Sequence, residues 1–172
     1  MKSALVVVVL AACGGGGSNG DATSGDTFIA FSSSFAPFRS WTHFHSDGPT
    51  EANCGMTPCP PNVLGAREQY LSMTPPSGSS EFPIGTMIVE VRASDGKIFA
   101  GAKRGGDFNS GGAKNWEFFE LTESPVTIFW RGLGPPLGDT YGGDPNGCNT
   151  CHTNCGSTND YVCSAQLQLS SF

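Results

Sequence analysis

The sequence predicts a mainly β domain of the α+β kind, an antiparallel sheet with few short helices. Three observations predict it. Gly and Pro supply about a fifth of the 172 residues and only 14% are charged, against roughly 25% in an average soluble chain, a composition that disfavours a helical bundle or coiled coil. Five short β-branched or aromatic runs, at residues 27–33, 87–93, 98–103, 116–121 and 126–130, are bounded by Gly, Pro, Ser or Asp. Twelve Phe, three Trp and three Tyr supply large apolar surfaces for a packed core.

Taken in chain order, the first element is not part of the fold. Lys2, the apolar run at residues 4–10 and Leu10-Ala11-Ala12-Cys13 resemble a bacterial lipoprotein signal over residues 1–12, with Cys13 as the lipidated first residue of the mature chain. The run is far shorter than the ~20 residues of a membrane-spanning helix. A plain secretory signal is the alternative, and both export the protein. Residues 13–26 are rich in Gly, Ser, Asn and Asp and read as a flexible tether, so the domain is expected over residues 27–172.

Within the domain, Ser94-Asp95-Gly96 suits a tight hairpin between the second and third runs. The imperfect alternation of residues 87–91 implies that at least one strand is buried on both faces. Helix is expected at residues 66–71 and around Cys148. The net charge of −6 and pI near 4.8 leave no basic surface for nucleic acid or for anionic membranes, so membrane contact is expected only through the lipid.

With Cys13 set aside, Cys54, Cys59, Cys148, Cys151, Cys155 and Cys163 remain. Cys148-Asn149-Thr150-Cys151-His152 spells C-x-x-C-H, the pattern of covalent c-type haem attachment: two vinyl groups need two thiols close together, and the next imidazole must reach the iron from the same side. A disulfide within the motif and a zinc site are the alternatives, but zinc wants four ligands and no second C-x-x-C is present. The other four thiols can pair in three ways, and the two short loops, Cys54 with Cys59 and Cys155 with Cys163, are the preferred pairing. Residues 153–172 contain no Met, unlike small helical cytochromes c, in which a methionine ligand follows an early motif.

Phe82-Pro83-Ile84-Gly85-Thr86-Met87-Ile88-Val89, then Lys103-Arg104-Gly105, then Asn115-Trp116-Glu117-Phe118-Phe119, and the late Cys148-x-x-Cys151-His152, resemble the cytochrome P-460 family, which includes the cytochromes c-prime-beta. The resemblance runs from about Phe38 to the C-terminus. It implies one covalently bound haem c packed on a β-sheet, the iron held by His152, and an open distal side that takes nitric oxide or hydroxylamine. Family members that oxidise hydroxylamine carry a lysine bonded to the haem, and the best register places Glu90 there, with Lys97 and Lys103 nearby. Lys103 reads as a solvated surface lysine. Glu117 or Glu120 is the candidate distal acid.

Aromatic caps leave iron five-coordinate, and Phe35, Phe38, Phe44 and Phe99 are candidates; a distal His43, His45, Met73 or Met87 would make it six-coordinate and suited to electron transfer. His43 and His45 share a side if the segment is extended. Neutral His152 binds through one ring nitrogen while the other donates to a carbonyl or water, with Tyr161, Arg131 and Asn154 as neighbours to consider. Gly111-Gly112 and Gly142-Gly143 read as turns. No hydrolase triad order, phosphate loop or zinc helix is present.

The expectation is a lipid-anchored monohaem c-type cytochrome of the bacterial cell envelope, facing the periplasm or secreted. It binds a small nitrogen species, with oxidation of hydroxylamine, its electrons passing to a soluble carrier, as its enzymatic version. The alternatives are an electron-transfer cytochrome with a distal His or Met, and a disulfide-stapled structural lipoprotein without haem. Related proteins are often dimers, so a homodimer belongs to the same expectation.

Overall fold

Six strands pair in the order in which the chain lays them down: β1 (Thr42–Ser46), β2 (Arg67–Leu71), β3 (Met87–Arg92), β4 (Ile98–Lys103), β5 (Trp116–Glu123) and β6 (Val126–Gly132), every neighbouring pair antiparallel. The computed structural model describes residues 26–47, 65–136 and 147–172. Among these, helix is confined to α1 (Ser32–Phe35), α2 (Gly147–Cys155) and single 3₁₀ turns.

Because successive residues of a strand point to opposite faces, antiparallel register sorts side chains into rows across the sheet. On the first face His43, Tyr70, Val89, Ala100, Phe119 and Arg131 stand in one row. Phe35 meets Phe119 edge-on at 5.1 Å and Phe38 meets Tyr70 at 5.2 Å, so α1 and the turn after it close this face into a dry core. One residue along, the row on the second face is Phe44, Gln69, Glu90, Phe99, Glu120 and Trp130. This face is packed by α2 and by the C-terminal tail, through Val162, Leu167 and Leu169.

Four of the five punctuated runs form the expected strands, β3 to β6. Asp95 and Gly96 make the β3–β4 hairpin turn: Gly96 takes φ 69°, its N–H donates to the Arg92 carbonyl, and the Asp95 carboxylate accepts from Arg92 and from the Lys97 N–H. Burial on both faces is found not in β3, with its imperfect alternation, but most fully in β5, buried from Trp116 to Leu121. A β-bulge between Glu120 and Leu121 shifts its register with β6.

Two expectations fail. Residues 66–71 are not helical; Arg67, Glu68, Gln69 and Leu71 favour helix by a few tenths of a kcal/mol each, but β2 lies between β1 and β3 and buries residues on both sides of the sheet, which outweighs that preference. Residues 27–33 do not form a strand. Thr27 makes one bridge to Gly105, and the chain then turns into α1, where serine hydroxyls compete for the backbone groups: Ser34 accepts from the Phe31 N–H and Ser32 from the Ile128 N–H.

Candidate functional site

In α2, Cys148, Cys151 and His152 are spaced i, i+3 and i+4, which puts them on one side of the helix. Cys148 is buried in the core of the second face, alongside Trp130 among others. Burial first, with the Cys151 thiol and the Glu120 carboxylate nearby disfavouring a second negative charge, pushes its thiol up to about 12, so it is protonated at neutral pH. Cys148 and Cys151 are present as thiols. Cys155 and Cys163 form a disulfide, with Cα atoms 5.2 Å apart, which is the pairing preferred from the short loop. Cys13, Cys54 and Cys59 lie outside the described residues, as do residues 1–25 with the signal and most of the tether, and Gly142-Gly143.

His152 is held from two sides. The Phe118 ring of β5 lies 4.6 Å from the imidazole, and Nδ1 donates to the Tyr161 carbonyl at 2.7 Å. Burial holds the imidazole below its ordinary range, so it is neutral. With Nδ1 committed as the donor, Nε2 is left as the lone-pair nitrogen, the form that binds metal. The partner is the main chain of Tyr161. Arg131 lies on the opposite face, where it grips Glu117 through Nε and Nη2 at 2.8 and 2.7 Å, and Asn154 is exposed.

Sequence reasoning missed what docks α2 onto the sheet. The Asn149 side-chain oxygen accepts from the Ala113 N–H at 2.9 Å and from Asn109 Nδ2 at 2.6 Å, and its own N–H donates to the Leu133 carbonyl. The approach is so close that a Cβ on Gly112 would lie 2.3 Å from that oxygen. Gly112 is thus more than a turn residue: only glycine lets the loop after β4 receive the middle of the C-x-x-C. An Asn inside such a motif gives no sequence signal of this role.

Beside α2 the second face carries polar groups at the middle of a sheet. Glu90, on β3, is pushed up by burial against the opposing Arg67 charge; Arg67 Nη1 stands 3.5 Å from it and Gln69 donates to it at 3.3 Å, while Gln69 accepts from Ser164 of the tail at 2.6 Å. Glu120 accepts from the Trp130 indole at 2.8 Å and pairs with Lys97 at 3.3 Å. Phe44, Ile88, Glu90 and Phe99 are only half-buried, whereas Val89 and Ala100 on the reverse side of the same strands are covered.

The expected site residues therefore divide by face. Phe44, Phe99, Glu90 and Glu120 share the second face with α2. Phe35 and Phe38 lie in the core of the first face and cannot cap a group held by His152, because the sheet intervenes. Glu117 also faces away, paired with Arg131 and Arg104. His43 and His45 share a side, as an extended segment requires, but it is the first face. There both donate to the Glu68 carboxylate, at 2.5 and 2.6 Å. Met87 packs against the first core, Met73 is exposed, and Met56 lies outside the described residues. Lys103 is not a solvated lysine. It is 1% exposed and pairs with Asp160 and Glu81, because the second-face end of β4 is covered by the tail.

Among the described residues no three His, Cys, Asp or Glu side chains are grouped to hold a metal ion. No described helix is long and apolar enough to cross a membrane. No protein-family model, curated protein or solved structure matches the chain.

Proposed function

We propose that the chain is a monohaem c-type cytochrome of the P-460 kind, with haem c attached through Cys148 and Cys151, iron held by His152, and nitric oxide or hydroxylamine taken up on the open side. The observation that carries this reading is the state of His152. In one helical turn with two thiols, the imidazole spends Nδ1 on the Tyr161 carbonyl and leaves Nε2 for a metal. The residues fit the group. The thiols lie three apart on a helix, and the half-buried Phe44, Ile88 and Phe99 share the sheet face it packs on, Phe44 edge-on to Phe172 and Phe99 beneath the Arg92 guanidinium, which supplies apolar contacts for one side of a flat ring. Bound there, the haem supplies an iron whose sixth position takes a diatomic or hydroxylamine.

The chain's own residues do the rest. Asn149 docks the helix, Phe118 and the Tyr161 carbonyl orient the imidazole, and Phe99 and Phe44 offer an apolar surface. Ligand binding is assigned ahead of hydroxylamine oxidation because Glu90 stands where the resemblance puts the cross-linking lysine. The electron-transfer alternative is weakened because His43, His45 and Met87 belong to the other face and Met73 is exposed. Export as a lipoprotein anchored through Cys13, with a soluble electron carrier as partner, completes the reading.

The test is the absorption spectrum of the full chain from an exporting host with haem maturation. A Soret band of a five-coordinate high-spin iron, lost together with covalent pigment when Cys148 and Cys151 are replaced by Ala, is the expected result. A low-spin six-coordinate spectrum would select the electron-transfer alternative, and colourless protein the structural lipoprotein.

A further inference from the structure

Asp160 and Tyr161 both lie in the left-handed region, at φ 49° and 62°. Asp tolerates that conformation; Tyr does not, and consecutive strained residues persist only where their surroundings over-determine them. The surroundings here converge on Asp160. One carboxylate oxygen accepts from the Phe82 N–H at 2.9 Å, the other from the Lys103 ammonium, and the Asp160 carbonyl accepts from the Trp116 indole at 2.8 Å. The Asp160 and Tyr161 N–H groups donate back to Ser157 and Gly156. Asp160 and Lys103 are 4% and 1% exposed. What this arrangement delivers is the next carbonyl, that of Tyr161, set 2.7 Å from His152 Nδ1. Two residues further on, Cys163 is tied to Cys155 at the end of α2.

We propose that Asp160, clamped by Lys103, Phe82 and Trp116, is the positioning residue for His152: it twists the chain so that the Tyr161 carbonyl fixes the tautomer and the rotation of the imidazole. The inference rests on the reading of His152 as an iron ligand. An imidazole whose Nδ1–H is held by a carbonyl is the more basic donor at Nε2, and such outer partners tune the metal they never touch. Asp160 also ends the 3₁₀ turn Ser157–Asn159 as its left-handed C-cap, so the same residue stops that turn and aims the carbonyl that follows.

The test uses the full chain matured with haem, as wild type, Asp160→Ala, Asp160→Asn, Lys103→Met and, as a control for plain destabilisation on the opposite face, Val89→Ala. Haem staining after denaturation reads attachment, and resonance Raman of the ferrous protein reads the iron–imidazole stretch. The expected result is covalent haem in every variant. The stretch shifts down in Asp160→Ala and Lys103→Met, shifts less in Asp160→Asn, which keeps an acceptor for the Phe82 N–H, and stays in place in Val89→Ala. If Asp160→Ala does not fold, Lys103→Met decides. Pigmented variants with an unshifted stretch overturn the inference alone; wild type without covalent haem overturns the cytochrome reading and this inference with it.

Discussion

Two rows of side chains, one residue apart on the same six strands, serve opposite purposes. His43, Tyr70, Val89, Ala100, Phe119 and Arg131 place apolar groups at the centre and polar or charged ones only at the ends. The chain itself closes that centre with Phe35 and Phe38. Phe44, Gln69, Glu90, Phe99, Glu120 and Trp130 do the reverse, alternating aromatic rings with carboxylates and an amide in mid-sheet. Burying such groups costs stability unless each is partnered, and partners from β2, β6, the hairpin and the tail are recruited to do it. Polar groups concentrated at one face, beside a neutral His and two thiols, depart from the folding rules that the other face obeys, the kind of departure that accompanies functional sites.

The comparison is broken most directly on β5. Phe119→Ala, on the first face, removes a fully buried ring that meets Phe35, and is expected to lower unfolding free energy by about 3–5 kcal/mol in a urea titration. On the proposed cytochrome reading, whatever fraction folds should still attach haem, since nothing on the second face is altered. If Phe119→Ala unfolds the chain only marginally, the first face is not the stabilising core. The next effect belongs to the second face. Replacing Cys155 and Cys163 together by Ala opens a short loop and should cost about 2–3 kcal/mol under oxidising conditions, and nothing once the wild type is reduced. Equal stability of the oxidised proteins would mean that the bridge does not constrain the chain.

A third change separates the rows by their protons. Burial raises the Glu90 carboxyl above its ordinary value of 4.5. The unfolded chain then loses this proton first, so the folded state is progressively destabilised as pH rises from the unfolded value to the folded one. Glu90→Gln is expected to remove that downward slope. A wild-type and a variant stability curve that run parallel across this range would contradict the raised Glu90 carboxyl.

How far these two faces could be read in the sequence depends on which contacts carry them. The strands β3 to β6 were legible because Gly, Pro and Asp punctuate them, and α2 because the motif marks it. The Cys155–Cys163 bridge was legible from its short loop. β2 was not, since Arg67-Glu68-Gln69 favours helix locally and only its pairing with β1 and β3 reverses that. Which Phe belongs to which face depends on register, so Phe35 and Phe38 could not be told from Phe44 and Phe99. Lys103 looked solvated because its partner Asp160 is 57 residues away. The acceptor for His152 was hidden for another reason: a backbone carbonyl is offered by every residue, and only the left-handed turn at Asp160 and Tyr161 singles one out.

The smallest effect lies at the exposed end of the first row and has a pH signature of its own. Asp47 first, then Glu68, raise the His45 imidazole above its ordinary 6.5, because both carboxylates accept hydrogen bonds from its ring. A raised folded-state value means that the stabilisation is fully present below 6.5 and is lost as pH rises through the folded value. Glu68 acts in the opposite direction: its carboxyl is held down by His45 and His43, so its contribution is present above the ordinary carboxylate range and is lost on acidification. The cluster therefore contributes most between those two limits. His45→Gln should flatten the decline above pH 6.5, and raising the salt concentration should shrink the same decline in the wild type, because these groups stand in solvent. The second face should not respond to either change: the covalent pigment and its spectrum stay as in the wild type, and a shifted Soret band in His45→Gln would show that the sheet does not insulate its two faces.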